Sequence, residues 1–265
     1  MTATDALFTG SIPALYQRYL VPMLFAPYAR DLAARAAALA PRRILETAAG
    51  TGVVTAALLE AAPDAEITAT DLNQAMLDAA AAAIRAPNVR FQAADAQALP
   101  FADASFDLVV CQFGVMFFPD RVAAYREARR VLRPGGHFLF NAWGRIEDNP
   151  LSEAVTEAVA GLFPNDPAAF LRRVPFGYHD IARIEEDLHA AGFEEIEVET
   201  VAKRSRIGSA REAATGLCHG SPLRAEIEAR GNLDDVTDSA AAALTRFEGP
   251  DGVDAPMSAH VVNAG

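Results

Sequence analysis

The sequence is poor in cysteine, in positive charge and in long apolar runs, and each shortage excludes a class of protein. Cys111 and Cys218 lie far apart and provide neither a disulfide framework nor a zinc-binding spacing, so we expect no metal site and a reducing, cytoplasmic location. No apolar run reaches the roughly 20 residues that span a bilayer. Residues 1–11 lack the charged and apolar segments of a secretory leader. We therefore expect a soluble protein without a membrane span.

The charge balance argues against a nucleic-acid partner. The 265 residues include 35 acids and 23 bases, a formal net charge of −12, which repels a polyanion unless a local basic patch offsets it. The basic clusters are short, and the one at 129–133 is typical of a helix C-terminus, where cations suit the helix dipole. A chain of this length can bury a sizeable core, as one large domain or as one domain with an elaborated lid.

The most informative stretch is a short apolar strand that ends on an acid and leads into a loop of small residues. The strand covers 43–46 and ends on Glu46, the loop covers 47–52, and a helical pattern resumes over 53–62. Small residues let the backbone turn tightly beside a ligand. A strand, such a loop and a helix N-terminus present backbone N–H groups to a nucleotide-type cofactor in open α/β sheets.

Two further strand patterns, at 66–71 and 89–95, also finish on an acid. Asp71 follows the glycine loop by about twenty residues, a spacing that suits a carboxylate bound to a ribose diol. For Glu46, Asp71 or Asp95 alone, a surface carboxylate is the commoner explanation. Because all three occupy the same position relative to their strands, that explanation is weaker for the set.

The order of elements predicts an α/β fold with a doubly wound parallel sheet and helical lid insertions. Strand patterns alternate with helical ones as far as Gly144, which favours right-handed crossovers. Beyond Gly144 two blocks exceed ordinary loop lengths, and we interpret them as lids. The predicted segments are an N-terminal helical cap at 1–40, a cofactor-binding Rossmann-like core at 41–145, a lid insertion at 146–179, a core helix and strand six at 180–203 with the strand itself at 193–202, a second lid insertion at 204–250, and strand seven at 251–265.

Four segments carry a resemblance to a known family. They are ILETAAGTG at 44–52, TDLNQAML at 70–77, ADAQALPF at 94–101, and SFDLVVCQ at 105–112 continuing through VLRPGG at 131–136. In this order and spacing they resemble the class I S-adenosylmethionine-dependent methyltransferases, in particular the branch related to ubiquinone and menaquinone biosynthesis C-methyltransferases. The resemblance covers roughly residues 43–143. It implies S-adenosylmethionine as cofactor, S-adenosylhomocysteine as product, and a seven-stranded sheet whose antiparallel strand seven is 258–264.

The resemblance also implies roles for individual residues, with Glu46 as the acid before the loop. Gly50 and Gly52 with Ala48 would pass the methionine end of the cofactor, Asp71 would bind the ribose hydroxyls, Leu72 and Met76 would flank the adenine, Asp95 and the Ala96 backbone would meet the adenine edge, and Gln112 would sit beside the methionine moiety. Ala48 stands where the family has its first glycine. We therefore expect the backbone at Ala48 to avoid positive φ.

Aromatic residues before the core and after strand four bear on the substrate. The region 12–40 is helical and rich in tyrosine, and one or two tyrosines, Tyr19 among them, are candidates to close over the cofactor. Phe113, Phe117 and Phe118 favour a largely apolar or aromatic acceptor. In both places core packing is an equally good explanation, since helical spacing alone does not separate the two.

The prediction is a methyltransferase that acts on a small molecule by in-line displacement. Holding the acceptor close to the sulfonium methyl group in a dry site can supply most of the catalysis, and a general base is optional. His179 and His219, in or near the predicted lids, are weak catalytic candidates. A surface or packing role is the better explanation for each, because a histidine titrates near neutrality wherever it lies.

Two alternatives stay open. A nicotinamide-dependent oxidoreductase shares a glycine loop followed by an acid, although the loop has no third glycine and no Tyr-x-x-x-Lys pair is present. A non-catalytic protein that binds S-adenosylmethionine is the second alternative. The acceptor, the methylated atom (oxygen, nitrogen, sulfur or carbon) and the oligomeric state do not follow from the sequence.

Overall fold

A computed structural model describes residues 10–265, and its framework is one mixed sheet flanked by helices. The strands are β1 Arg43–Glu46, β2 Glu66–Asp71, β3 Val89–Ala93, β4 Phe106–Gln112, β5 Leu132–Trp143, β6 Ile196–Ile207, β7 Glu248–Gly249 and β8 Gly252–Ala264. Their order is β3-β2-β1-β4-β5-β8-β6, and the two-residue β7 pairs with the start of β8. Strands β1 to β5 are parallel, whereas β8 is antiparallel to both neighbours. The predicted doubly wound sheet with an antiparallel last strand is confirmed.

The helices follow the predicted alternation through the core and then fill the two insertions. They are α1 Ile12–Leu15, a π-helix Tyr16–Phe25, α2 Ala26–Ala38, α3 Val53–Ala61, α4 Gln74–Ala83, α5 Arg121–Val131, α6 Pro150–Leu162, α7 Phe170–Arg173, α8 Ile181–Ala191, α9 Ala210–His219, α10 Leu223–Glu228 and α11 Leu233–Leu244. Side chains cap several of them, as Asp120 accepts from the Ala123 N–H and Asp180 from the Ala182 N–H. Within residues 10–265, no helix is long and apolar enough to cross a membrane.

The strand order places a crevice at the carboxyl ends of β1 and β4. The chain winds outward from β1 to β3 on one side and from β4 to β5 on the other, so the order reverses between these two neighbours. Ligands of open α/β sheets bind at such a switch point. Glu46 and Asp71 end β1 and β2 as predicted, while β3 ends at Ala93, two residues before Asp95.

Strands β6 and β8 are longer than predicted and form an antiparallel ribbon. The predictions were strand six at 193–202 and strand seven at 258–264, whereas the pairing runs from Ile196 opposite Ala264 to Ile207 opposite Val253. The ribbon therefore crosses the predicted segment boundary at 203. The buried Tyr28 hydroxyl contacts both strands, at 2.9 Å from the Val201 carbonyl and 3.2 Å from the Met257 carbonyl.

The start of the predicted strand six belongs instead to the end of α8. Gly192 has a left-handed φ of 96° at the helix C-cap, and the Phe193 N–H bonds back to the Leu188 carbonyl at 3.1 Å. This is the helix-ending arrangement that glycine favours. The strand begins only after the chain has left this turn.

The described part of the predicted N-terminal cap is a continuous helical run. Residues 1–9 of that cap, and most of the region expected to lack a leader, lie outside the described residues. The central section, Tyr16–Phe25, is a π-helix with Pro22 inside it. Because π-helical backbone bonds i to i+5 and is frequent at functional sites, the section is a candidate wall of the site.

Candidate functional site

A cavity of about 330 Å³ lies at the carboxyl ends of the strands and extends under the inserted helices. One end is formed by the loops after β1, β2, β3 and β4. The other end is formed by aromatic and aliphatic side chains from the π-helix and both insertions. Eight of the predicted cofactor residues line it: Ala48, Gly50, Asp71, Leu72, Met76, Asp95, Ala96 and Gln112.

The loop after β1 is tied to Asp71 by backbone hydrogen bonds. The Gly50 N–H donates to Asp71 Oδ2 at 2.9 Å, and the Asn73 N–H donates to Oδ1 at 2.8 Å. Burial raises the pKa of the Asp71 carboxyl, and the hydrogen bonds from Asn73 and Gly50 oppose that rise. Gly50 has a φ of 57°, which glycine adopts without strain. A buried carboxylate therefore borders the cavity, as a ribose diol requires.

The backbone prediction for Ala48 is wrong, because its φ is 52°. The hydrogen bonds on either side of it, from Thr47 N–H to the Val110 carbonyl and from Ala49 N–H to the Thr70 carbonyl, are both 2.9 Å long and fix the turn between them. An alanine in the left-handed region costs roughly 1–2 kcal/mol. The loop thus keeps the shape that a glycine would give it, at a cost in backbone strain.

Two predicted residues, Glu46 and Gly52, lie behind the loop and do not line the cavity. Glu46 is 1% exposed, and the Thr55 hydroxyl donates to its Oε2 at 2.6 Å. Burial, aided by the charge of Asp71, raises the pKa of Glu46 to about 8. Gly52 has a φ of 85°, and a Cβ there would lie 2.7 Å from Ile84 Cδ1. Gly52 is therefore required for the close approach of α3 and α4.

The predicted adenine contacts converge at the rim of the same cavity. Leu72 is 64% exposed, which is unusual for a large apolar side chain, whereas Met76 is buried beneath it. Asp95 is exposed, and its Oδ1 accepts from the Gln97 N–H at 2.9 Å. The side chains of Leu72 and Met76 offer apolar surface for a flat base, and the carboxylate of Asp95 offers hydrogen-bond acceptors beside it.

The structure does not bring Tyr19 to the cavity and brings Tyr16 instead. Tyr19 packs on α9, where a Cβ on Gly216 would lie 2.9 Å from Tyr19 Cβ. Tyr16 lines the cavity, and its ring stacks on Phe25 with a centroid distance of 4.9 Å. Burial, with the nearby charge of Asp71, raises the pKa of Tyr16, so its phenol stays protonated. Both tyrosines belong to the π-helix, and its winding turns Tyr16 toward the cavity and Tyr19 toward α9.

Neither histidine candidate lines the cavity. His219 Nε2 lies 2.9 Å from the Thr237 hydroxyl, within the second insertion. His179 Nδ1 donates to the Phe176 carbonyl at 2.9 Å, and Phe176 does line the cavity. The structural role of His179 is therefore to hold in place the turn that carries Phe176 into the wall of the cavity.

A third histidine, absent from the predictions, supports the same turn. His260 on β8 is 7% exposed; its Nε2 lies 3.0 Å from the His179 carbonyl and its Nδ1 lies 2.9 Å from the Thr200 hydroxyl. Because a carbonyl only accepts, Nε2 carries the proton and Nδ1 accepts from Thr200. Burial lowers the pKa of His260, which favours this neutral form. A chain of hydrogen bonds thus runs from Thr200 on β6 through His260 and His179 to Phe176 in the wall of the cavity.

The end of the cavity opposite Asp71 is an aromatic enclosure, which we call the acceptor half. The rings of Phe113 and Trp143 are stacked with centroids 3.9 Å apart and planes within 8°. Phe25 lies beside both, and Phe176 lies 5.7 Å from Trp143. Phe113 has a φ of 50°, held by its N–H donating to Asn141 Oδ1 at 3.1 Å. Such strain in a bulky residue is typical of functional sites.

The cavity carries no positive charge of its own. Across residues 10–265, no Lys, Arg or His lines it, and its charged lining residues are Asp71 and Asp95. Both belong to the end formed by the strand loops. A cation is favoured near that end, and aromatic faces attract cations as well. Among the described residues, the acceptor half contributes no charged side chain to the lining.

Comparison with known proteins agrees with this geometry. Residues 45–140 match the family model described as a methyltransferase domain. A demethylmenaquinone methyltransferase of Deinococcus radiodurans is 44% identical over 112 residues, which cover 42% of this chain and 46% of that protein. The ubiquinone/menaquinone biosynthesis C-methyltransferase UbiE of Dinoroseobacter shibae is 38% identical over 123 residues, 44% of this chain and 49% of that protein. The matches thus span about half the length of these relatives.

A solved structure extends the likeness of the fold beyond the core. The YcgJ protein of Bacillus subtilis has a TM-score of 0.58 at 21% identity, covering 90% of this chain and 97% of that chain. This likeness shows the fold, whereas the family match and the curated relatives place residues 45–140 among the class I S-adenosylmethionine-dependent methyltransferases. Within that class the chain is related to the UbiE and demethylmenaquinone methyltransferase branch. The predicted resemblance and the predicted cofactor are confirmed, and the nicotinamide alternative is left without support.

Proposed function

We propose that the chain is a methyltransferase that transfers the methyl group of S-adenosylmethionine to a small, uncharged, apolar or aromatic molecule. One observation carries the proposal: a single cavity joins the loop after β1 and Asp71 to the aromatic acceptor half. A cofactor bound along the strand ends would direct its methionine end toward Phe113 and Trp143. The acceptor would then meet the reactive methyl group without crossing solvent.

The residues present fit the cofactor, and we assign them as follows. Asp71 would accept hydrogen bonds from the ribose hydroxyls, Leu72 and Met76 would enclose the adenine, and Asp95 with the Ala96 backbone would meet the adenine edge. Ala48, Gly50 and Gln112 border the methionine end. Gln112 Oε1 is buried without a hydrogen-bond partner in the described chain, which leaves an acceptor for a donor group such as an ammonium. Glu46 and Gly52 do not line the cavity, and their role is to shape the loop after β1.

The reaction requires the protein to orient the acceptor and to exclude water from the site. S-adenosylmethionine supplies an electrophilic methyl group whose transfer breaks one carbon–sulfur bond and forms one bond to the acceptor. The aromatic walls would hold the acceptor in line with the methyl group, and their faces would attract a cationic sulfonium. The protonated phenol of Tyr16 can donate a hydrogen bond, but it does not serve as a base. A phenol or carbon acid must therefore lose its proton to another group or to water.

The relatives suggest where acceptor screening should begin. Their names concern demethylmenaquinone and ubiquinone or menaquinone biosynthesis. A reduced quinone ring is flat, uncharged and aromatic, as the acceptor half requires. We propose quinol-type and phenolic compounds as the first acceptors to test, with no preference for the atom that is methylated. Charged phosphorylated molecules and nucleic acids are poor candidates, because the cavity lacks cationic lining residues.

The first experiment is isothermal titration with S-adenosylmethionine, S-adenosylhomocysteine, NADH and NADPH. We expect the first two to bind near micromolar, about −8 kcal/mol, and Asp71→Ala to weaken both at least about tenfold, because it removes the ribose partner. The control is Asp78→Ala, which removes an exposed aspartate of the same region bonded to Gln74. Binding of a nicotinamide alone would overturn the proposal. Tight binding without release of S-adenosylhomocysteine across the acceptor panel would favour a non-catalytic binding protein.

A further inference from the structure

Ser152 lines the cavity, and its hydroxyl group has no hydrogen-bond partner among the described residues. Ser152 is 3% exposed, lies in the first turn of α6 and lines the cavity. Among residues 10–265, none forms a hydrogen bond with its side chain; the one bond that involves Ser152 beyond the helix ladder goes from the Thr156 hydroxyl to its carbonyl. The hydroxyl therefore keeps both its donor and its acceptor capacity for a ligand.

The neighbouring hydroxyls are already engaged. The Ser221 hydroxyl also lines the cavity, but it donates to the Leu217 carbonyl at 2.6 Å and accepts from the Leu223 N–H at 3.3 Å. The Thr156 hydroxyl donates to the Ser152 carbonyl of its own helix at 2.7 Å. Serine and threonine commonly bond the carbonyl four residues earlier in a helix. Ser152 cannot make this bond within its own helix. α6 begins at Pro150, so the carbonyl four residues before Ser152 lies outside the helix.

The position of Ser152 assigns it to the acceptor and not to the cofactor. It belongs to the first insertion, which also contributes Phe170 and Phe176 to the wall. The groups assigned to the cofactor all follow β1, β2, β3 or β4. A polar group in an aromatic enclosure fixes orientation and selects between otherwise similar ligands. A ligand that fills the enclosure must bond the hydroxyl or leave it buried and unpaired, which is unfavourable.

We propose that Ser152 is a specificity-determining residue, and that the acceptor carries a hydroxyl or carbonyl oxygen, separate from the methylated atom, that hydrogen-bonds to it. The proposal rests on the proposed function in that the acceptor binds in this cavity. A site that hydrogen-bonds a substrate oxygen discriminates against the analogue that lacks it. The substrate class is thereby narrowed from an aromatic molecule to an aromatic molecule that carries an oxygen in addition to the methylated atom.

The test compares two probes that differ by one oxygen, naphthalene and α-naphthol, so that only the second can hydrogen-bond to Ser152. Their affinities are measured by isothermal titration on protein saturated with S-adenosylhomocysteine. The variants are Ser152→Ala, which removes the hydroxyl, and Ser152→Thr, which keeps it. The matched control is Ser205→Ala, because the Ser205 hydroxyl is also buried without a partner in the described chain but lies outside the cavity.

We expect the wild type to bind α-naphthol about three- to tenfold more tightly than naphthalene, the range of one neutral hydrogen bond. Ser152→Ala should abolish that preference, while Ser152→Thr and Ser205→Ala should keep it. The proposal is overturned if the wild type shows no preference or binds neither probe, if the preference survives in Ser152→Ala, or if Ser205→Ala removes it equally. Titration of S-adenosylmethionine into the same wild-type protein tests the proposed function separately, because a subsite failure leaves that affinity unchanged.

Discussion

The Cβ atom of Ala48 occupies the space beside the Cα atom of Gly114. A Cβ built on Gly114 would lie 2.5 Å from Ala48 Cβ and 2.7 Å from Cys111 Sγ. The two residues follow β1 and β4, the neighbouring strands at the switch point. Gly114 has a φ of −98°, which any residue adopts. The absence of a side chain at Gly114 therefore leaves room for the methyl group of Ala48, the residue that stands in place of a glycine in the loop after β1.

We predict that Gly114→Ala destabilises the protein and weakens cofactor binding. The new methyl group overlaps Ala48, and overpacking of this kind typically costs about 1–3 kcal/mol. Because the loop after β1 must move to relieve the overlap, the affinity for S-adenosylmethionine should fall together with the free energy of unfolding. Urea denaturation and isothermal titration measure the two effects.

Ala48→Gly supplies the control for this interpretation. Alone it should change stability by no more than about 1 kcal/mol, since relief of the left-handed strain is offset by the greater unfolded-state freedom of glycine. Combined with Gly114→Ala it should restore most of the loss, leaving the contact with Cys111. Additive effects in the double variant would show that the two positions do not interact.

The fold of the core was predictable because its signals are local. The strand at 43–46, the small-residue loop and the acid at Asp71 lie within short stretches whose spacing reports the fold directly. The ribbon of β6 and β8 was predicted too short. Its strand β6 carries charged residues such as Glu197 and Glu199 along its exposed side. The residues that pair with β6 lie between 46 (Ile207 and Val253) and 68 (Ile196 and Ala264) positions further along the chain, where periodicity gives no pairing signal.

The site was predictable at the cofactor end and less so at the acceptor half. Trp143 and Phe176 meet because the first insertion folds over the end of β5, which no sequence spacing encodes. The choice between Tyr16 and Tyr19 depends on the winding of the π-helix. The positive φ of Ala48 depends on the hydrogen bonds around it. These features are set by tertiary contacts, which override local propensity.

Glu46 should make stability depend on pH. Its folded pKa of about 8 lies above its ordinary value of 4.5, chiefly because of burial. A raised acid pKa stabilises the folded state below the unfolded pKa, and this contribution is lost as pH rises from about 4.5 to about 8. We predict that Glu46→Gln, which mimics the neutral acid, reduces this decline. Urea denaturation at about pH 5, about pH 7 and about pH 9 measures it.

Thr55→Val tests the cause of that dependence. The Thr55 hydroxyl bond lowers the pKa of Glu46 and so opposes burial. Its removal should extend the decline to higher pH, the opposite direction from Glu46→Gln. An unchanged pH profile in Glu46→Gln would exclude Glu46 as the titrating group.

His260→Leu should loosen the wall of the acceptor half while leaving the cofactor end intact. The substitution removes the donor to the His179 carbonyl and leaves that carbonyl and Thr200 without their partner, a loss of about 1–3 kcal/mol. Since His179 in turn holds Phe176, we expect weaker binding of aromatic acceptors and unchanged affinity for S-adenosylhomocysteine. Trp143, the single tryptophan of the chain, lies against Phe176 and should report the change by fluorescence.

Two further variants separate a positioning role from general destabilisation. His260→Gln keeps an amide donor for the His179 carbonyl and should recover part of the acceptor affinity. His137→Leu removes a histidine of the same sheet that pairs with Asn263 at 3.1 Å and does not line the cavity. If His137→Leu lowered stability and acceptor affinity as His260→Leu does, the effect would be one of sheet stability. If only His260→Leu weakens the acceptor, the polar chain from Thr200 to Phe176 holds the wall in place.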